Sequence, residues 1–277
     1  MMNFWQQIIG LLPFEWAKFA FMQNALLAAL LVSLLLGVLG TMVISRQMAF
    51  FSDAIGHAAL TGVAIGALLG LGDPLWAMLI FSALLALAFS FLRQRTKASA
   101  DTVIGLIMSF AVALGIVILS RRGGFSRYSQ FLIGDILSVG PADIVKLLIL
   151  LLAVAGFWVF YFNKIMLLSL SPSLAKSRRI NTGLAEAAFS VMTALVVTVA
   201  IQWVGLLVIN ALLILPAAAA RNLAGNMKQY LWLSAGFGLA ASLTGLIASY
   251  YWATASGATM VLAAMSIYLV TIVLKRK

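Results

Sequence analysis

Apolar runs dominate the sequence, and each is about as long as a membrane-spanning helix, which needs roughly 20 residues. Hydrophobic residues make up 64% of the 277 residues and charged residues only 9%. An average soluble domain has about 45–50% and about 25%, respectively, so this chain cannot cover a folded surface with polar groups. We predict an all-α polytopic membrane protein with eight or nine transmembrane helices, because the sixth and seventh runs are short enough to form one bent element. The predicted spans are 21–45, 53–71, 74–92, 101–120, 143–162, 184–202, 203–220, 230–251 and 257–274.

The charged residues predict an orientation in the membrane. The chain has 18 Lys and Arg but only 7 Asp and Glu, a net charge of +11. In a soluble protein this excess would favour nucleic-acid binding, but in a membrane protein basic residues collect in cytoplasmic loops. Most of them fall on one side of the predicted spans. We therefore expect the C-terminus and the basic loop 163–183 in the cytoplasm, contact with membrane lipid, and no nucleic-acid partner.

The chain is predicted to form one membrane domain behind a short leading segment. Residues 1–20 read as an interfacial amphipathic segment with Trp5, Phe14 and Trp16 at headgroup depth. Residues 21–277 then form a single transmembrane domain. There are no cysteines, which excludes disulfides and thiolate metal ligands.

Asp53 and His57 are the candidate metal ligands. His57 is the only histidine, and a spacing of four residues places both side chains on one helix face. Ionisable groups inside a span usually mark a site or a pathway, and imidazole with carboxylate suits Zn²⁺ or Mn²⁺. The alternative is an Asp–His hydrogen bond that only stabilises the helix. Two ligands bind weakly, which suits an ion that must leave again, and a homodimer would double the set.

A stripe of small residues at every fourth position runs beside this pair, and we expect it to pack closely against other helices. The stripe consists of Ala54, Ala58, Gly62, Gly66 and Gly70.

The remaining acidic residues suit structural roles, with one exception. Asp101 and Asp143 are predicted to begin helices, and Asp73 to form a turn. Glu186 is expected to serve the helix dipole or to pair with Arg178 or Arg179. Asp135 is the exception, because it lies in the long loop opposite the cytoplasm. It is a candidate entry point for the metal, with pairing to Arg127 as the alternative.

Missing motifs narrow the function further. The sequence contains no GxxxxGK[ST], HExxH or GxSxG motif, so it has no P-loop and no recognisable hydrolase centre. We expect a transport protein without its own ATP site. A secondary transporter or channel driven by an ion gradient is the rival class, and a membrane enzyme is disfavoured.

Five segments resemble the bacterial ABC permeases for zinc, manganese and iron, family 3 of the metal-ion class. In chain order they read ISRQMAFFSDAIGHAALTGVAIG, ADTVIGLIMS, FLIGDILSV, SLSPSLAKSRRINTG and GLLVINALLILPAAAARNLA. The resemblance covers most of residues 21–277 and implies an ABC importer permease bundle in the bacterial cytoplasmic membrane.

The resemblance also implies partners, cargo and site residues. It implies a homodimer, two cytoplasmic ATPase subunits and an extracytoplasmic metal-binding protein. Asp53 and His57 would line the path of a transported divalent ion, zinc first and manganese next, with no stably bound cofactor. Ser173 stands where the family often has an acidic residue. The residues expected to meet the ATPase are Ser171, Pro172, Leu174, Ala175, Lys176 and Arg178.

Overall fold

The chain folds into helices joined by short connections. The computed structural model describes Trp5, Ile9, residues 13–120 and residues 134–275. Ten α-helices are present in these residues. They are α1 (Ala20–Ser45), α2 (Phe51–Leu68), α3 (Leu75–Arg95), α4 (Ala100–Ser120), α5 (Pro141–Leu170), α6 (Pro172–Ser177), α7 (Thr182–Val204), α8 (Leu206–Leu223), α9 (Met227–Trp252) and α10 (Ser256–Leu274).

Within the described residues, nine helices are long and apolar enough to cross a membrane, all except the short α6. The predicted all-helical membrane fold is therefore confirmed. The structure also separates the sixth and seventh apolar runs, which the sequence left as one bent element or two helices. Gly205 has a φ of +83°, a conformation that glycine adopts without strain, and it separates α7 from α8. The sixth and seventh apolar runs are thus two helices.

The chain divides into two compact units. The terminal unit comprises Met1–Thr41, Ile133–Ala153 and Trp203–Lys277, and the middle unit comprises Met42–Leu132 and Val154–Gln202. The prediction of a single domain over residues 21–277 stays a prediction.

In the terminal unit, α1 meets α8 and α9 where small residues allow close approach. A Cβ on Gly40 would collide with the backbone carbonyl of Leu213, and a Cβ on Gly37 would lie 3.1 Å from the Ser234 carbonyl oxygen. Ser234 Oγ donates a hydrogen bond of 2.6 Å to the Gly37 carbonyl. Close helix packing of this kind stabilises bundles in lipid, where the hydrophobic effect between helices is weak.

The aromatic residues of the predicted interfacial segment differ in burial. Trp16 is only 4% exposed, whereas Phe14 is 48% exposed. The two rings stack with centroids 5.7 Å apart. Trp5 Nε1 donates to Asn24 Oδ1 at 3.2 Å. Trp16 is therefore packed inside the terminal unit, and the position of these side chains at headgroup depth stays a prediction. The rest of residues 1–12 lies outside the described residues.

In the middle unit, α2 packs against α3 and α4. It is the least hydrophobic of the nine long helices, and two thirds of its spanning window is buried. Its small residues explain how a helix of low hydrophobicity stays buried, because they let α3 and α4 come close on two sides. Most of α2 is therefore buried in the middle unit, and one of its faces stays partly exposed.

Candidate metal site

The helix that carries the predicted metal ligands has well-defined ends. The turn before it contains Gln47 with a φ of +55°. At its other end, Leu71 donates a backbone hydrogen bond to Gly66 and Gly70 donates one to Ala67. This Schellman pattern places Gly70 in the left-handed conformation, with a φ of +72°, and ends the helix.

The small-residue stripe packs in its middle but not at its end. A Cβ on Gly62 would lie 2.6 Å from Met78 Cα of α3, and a Cβ on Gly66 would lie 3.1 Å from Ala77 Cβ. Gly70 lies beyond α2, and a Cβ there would meet nothing within 4 Å. Its predicted packing role is therefore wrong, because the glycine terminates the helix.

Asp53 and His57 lie one turn apart on the open face of α2. His57 Nε2 is 3.9 Å from Asp53 Oδ1, and the two side chains are 29% and 32% exposed, respectively. At that separation they do not share a hydrogen bond. Two donors on one tetrahedral zinc ion are roughly 3.4 Å apart, so a small side-chain movement would let both bind one cation.

The same face of α2 continues to Leu60, which is also half-buried, and closes at Ala64, which is 1% exposed. Neighbouring positions on the other faces, including Ala54 and Ala58, are buried. The chain thus presents its Asp–His pair on a partly exposed flank of α2.

Thr61 connects α2 to α4 through a hydrogen bond between the two helices. Its hydroxyl donates a hydrogen bond of 2.7 Å to the Ala111 carbonyl of α4. The residue is 2% exposed, one turn after His57. Gly115 allows this contact, because a Cβ there would lie 2.5 Å from Thr61 Oγ1. Sequence reasoning missed Thr61, and the small residues spaced along α4 were the available signal.

The ligand set is small. Within residues 13–120 and 134–275 the structure contains no cluster of three or more His, Cys, Asp or Glu side chains that could hold a metal. Asp53 and His57 are the two side chains of a metal-binding type that α2 brings together.

Asp135 takes part in a turn of the terminal unit. Its side chain accepts a hydrogen bond of 3.0 Å from the Leu137 backbone amide. Gly134, with a φ of +69°, packs directly against the backbone of Gly205. Asp135 also lines a cavity of about 630 Å³ whose other walls, such as Leu207 and Val208, are mainly apolar. Its role as an entry point stays a prediction, and Arg127 lies outside the described residues.

Three other acidic residues have the structural roles that the sequence predicted. Asp101 lies in the first turn of α4, which Ser99 caps by accepting the Thr102 amide at 3.2 Å. Asp143 accepts the Gly140 amide at the start of α5 and Asp73 accepts the Leu75 amide. These helix-start and turn predictions are confirmed.

The predicted cytoplasmic loop 163–183 is largely helical. α5 continues to Leu170, and α6 follows after one residue. Ser171 caps α6 by accepting the Leu174 amide at 3.4 Å, and Pro172 occupies the first turn. Proline is favourable there, because the first-turn amides have no helical acceptor.

The residues of α6 divide into a buried side and an exposed side. Ala175 is fully buried in a small cluster with Leu168 and Ala185. It cannot meet an ATPase, so its predicted contact role is wrong. Leu174 is 55% exposed, and Lys176 and Arg178, two and four residues later in the chain, are exposed as well. An apolar side chain with adjacent cations remains available for a partner.

Glu186 joins two arginines in the middle unit. Its Oε1 atom is 3.2 Å from Arg46 Nη2 and 2.8 Å from Arg93 Nη1. The predicted pairing with Arg178 or Arg179 is therefore wrong, because the fold brings distant arginines to the start of α7. Burial lowers the pKa of Arg46, in the turn after α1, to about 10 against the opposing effect of Glu186. Arg46 is thus charged at neutral pH.

Comparison with known proteins agrees with this architecture. The model of the ABC 3 transport family matches residues 18–275. The manganese transport system membrane protein MntC of Listeria innocua is 31% identical over 253 residues, 91% of this chain and 90% of that protein. The high-affinity zinc uptake system membrane protein ZnuB of Haemophilus influenzae is 30% identical over 249 residues, 90% of this chain and 95% of that protein.

A solved structure is similar over the same extent. The matching chain of PsaBC from Streptococcus pneumoniae, determined in complex with a Fab, has a TM-score of 0.79 and 33% sequence identity to this chain. The similarity covers 92% of each chain. It therefore extends over both units and is not confined to one motif.

Proposed function

Because this chain belongs to the ABC 3 transport family, we propose that it is the membrane-spanning subunit of an ATP-driven importer for divalent transition-metal ions. Membership of the family confirms the resemblance seen in the sequence motifs. The protein is a multi-pass membrane permease and contains no P-loop sequence. Separate ATPase subunits therefore supply the energy in this proposal.

The observation that carries the proposal is the Asp53–His57 pair on the open face of α2. Its imidazole and carboxylate lie 3.9 Å apart and remain partly exposed, so an ion can reach both. Zn²⁺ and Mn²⁺ accept this donor combination. We expect zinc to be the cargo, with manganese second, and relatives are named for each metal.

The small number of ligands favours passage over storage. A structural zinc site has four protein ligands and holds its ion tightly, whereas a transported ion must leave the site again. In a homodimer, the open faces of two α2 helices would supply two Asp53 and two His57 side chains. An extracytoplasmic binding protein would deliver the ion, and selectivity for one metal would lie mainly there.

The exposed side of α6 is the proposed docking surface for the ATPase. Leu174 offers an apolar contact, and Lys176 and Arg178 offer positive charge for an acidic rim. Ser171 and Pro172 contribute to this surface by setting the residue at which α6 begins. The proposal has α6 and the C-terminus in the cytoplasm and the protein in a bacterial cytoplasmic membrane, and the positive-inside distribution of basic residues supports this orientation.

Uptake by the reconstituted transporter tests the proposal. Vesicles containing this chain, its ATPase and its binding protein would receive radioactive zinc or manganese, with and without ATP. We expect ATP-dependent uptake that falls at least tenfold in Asp53→Ala and His57→Ala, with ATPase assembly unchanged. Asp101→Asn is the matched control, because it removes an exposed helix-start charge outside the site.

Two outcomes would contradict the proposal in different ways. Native uptake in both ligand variants would make the Asp–His pair structural. Uptake by this chain alone, driven by an ion gradient and indifferent to ATP, would instead support a secondary transporter.

A further inference from the structure

The Arg46–Glu186–Arg93 cluster connects three parts of the middle unit. Arg46 lies in the turn between α1 and α2, Arg93 in the last turn of α3, and Glu186 near the start of α7. The side chains of Arg46 and Glu186 are 4% and 11% exposed, and that of Arg93 is 26% exposed. One carboxylate therefore holds two guanidinium groups in a largely buried setting.

Aromatic contacts extend the cluster to the beginning of α2. The Arg93 guanidinium lies 5.8 Å from the ring centre of Phe89. The Phe89 ring in turn lies 4.8 Å from that of Phe51, the first residue of α2. On the other side, Arg46 lies 5.3 Å from the ring centre of Phe189 on α7. The cluster thus fixes the end of α2 that leads to Asp53.

The same cluster is close in sequence to the docking helix. α6 ends at Ser177, and Asn181 caps α7 by accepting the Leu184 amide at 3.0 Å. Gly183 packs against Gln94 of α3, where a Cβ would lie 2.6 Å from Gln94 Oε1. Few residues separate α6 from Glu186, and the first turn of α7 packs against the Gln94 side chain of α3.

Stability alone gives a weak reason for burying these charges. Desolvating an ion pair often costs as much as the pair returns, and apolar side chains of similar volume can be as stable or more so. What a charged cluster adds is a directional and specific connection between elements. Here those elements are the segment that leaves α6 and the turn that begins α2.

We propose that Glu186 is a positioning residue for transport, joining the ATPase-docking segment to the metal-bearing helix through Arg46 and Arg93. Displacement of α6 is passed through Glu186 to the start of α2 and changes the access of ions to Asp53 and His57. The inference rests on the proposed function. It adds the prediction that disrupting the cluster uncouples ATP hydrolysis from ion transport.

The test replaces the cluster by apolar residues of similar volume, with Arg46→Met, Arg93→Met and Glu186→Leu combined. In the reconstituted transporter with its ATPase and binding protein, we would measure ATP hydrolysed per zinc or manganese ion imported. We expect at least a tenfold rise in that ratio, with ATPase assembly and metal binding by the permease retained. Asp143→Asn with Lys146→Met, which removes an exposed ion pair, is the matched control and should keep the native ratio.

A second variant covers the case in which the triple variant fails to fold. Arg93→Gln removes the most exposed member and leaves Arg46 and Glu186 as a neutral pair, so the fold should persist. We expect the ratio of ATP hydrolysed to ions imported to rise two- to threefold. A native ratio in either folded variant would overturn the positioning role. Failure of the native protein to import metal with ATP would instead refute the proposed function.

Discussion

The two units use the same way of packing helices but differ in the charges that they bury. Glycines allow close approach in both, at Gly40 against Leu213 in the terminal unit and at Gly62 against Met78 in the middle unit. Among the described residues, however, the buried charged side chains are Arg46 and Glu186, and both belong to the middle unit. The same unit carries the Asp53–His57 pair.

This difference separates what builds a membrane bundle from what makes it act on ions. Small residues and apolar side chains are sufficient to assemble helices in lipid. Ionisable groups at membrane depth are costly, and they are retained where they have a task. The middle unit is therefore where substitutions should alter function, while in the terminal unit they should mainly alter stability.

The largest loss of stability is expected from Glu186→Leu. This single change leaves Arg46 and Arg93 without their shared carboxylate, and removing one partner of a buried pair typically costs about 3–5 kcal/mol. Thermal unfolding of the purified complex in nanodiscs would show a large fall in midpoint.

Glu15→Gln is the control for the loss of one carboxylate, because Glu15 is exposed and surface changes usually stay within about 0.5 kcal/mol. A Glu186→Leu midpoint equal to that of the control would show that the two arginines do not depend on Glu186.

Gly40→Ala should have the next largest effect and would act in the terminal unit. Its new Cβ would overlap the Leu213 carbonyl, and overpacking costs about 1–3 kcal/mol. The thermal midpoint should fall, while the ratio of ATP hydrolysed to ions imported by the surviving protein should stay native. Gly236→Ala is the matched change in α9, where a Cβ meets nothing within 4 Å. Equal midpoints for both alanine variants would exclude the close approach of α1 to α8.

Thr61→Val should have the smallest effect of the three. It removes the hydrogen bond to Ala111 while keeping the volume, and such bonds between membrane helices average about 0.6 kcal/mol. We expect a slight fall in midpoint, measured in the same nanodisc assay. Thr244→Val is the control, because the exposed Thr244 hydroxyl bonds only within its own helix. A larger fall in the control would contradict a specific role for the bond between α2 and α4.

Much of the fold could be predicted from the sequence, because membrane helices depend on local properties. Long apolar runs, helix-start residues such as Asp101 and Asp143, and the spacing of Asp53 and His57 all lie within one helix or its immediate flank. Such features need only hydrophobicity and helical periodicity to interpret.

The errors concern features that depend on tertiary contacts. The sequence predicts that Glu186 pairs with arginines near it in the chain, but the fold brings Arg46 and Arg93 to it from two other helix ends. Ala175 is buried in a cluster with Leu168 and Ala185, a contact that no local pattern identifies. Gly70 fits the pattern of small residues at every fourth position, but it ends the helix. Glycine can both terminate a helix and allow close helix packing, so the sequence alone does not distinguish the two roles.

The most direct test of the metal site is electron spin echo spectroscopy of Mn²⁺ bound to the purified permease and its ATPase, without the binding protein and without a histidine tag. His57 is the only histidine in the chain, so an imidazole nitrogen signal from a bound ion would identify that residue once histidines in the ATPase are excluded by its separate spectrum. We predict an imidazole coupling that disappears in His57→Gln, while the variant stays folded. Mn²⁺ bound with no imidazole coupling, or with a coupling that persists in His57→Gln, would contradict the assignment of the Asp53–His57 pair as the metal site.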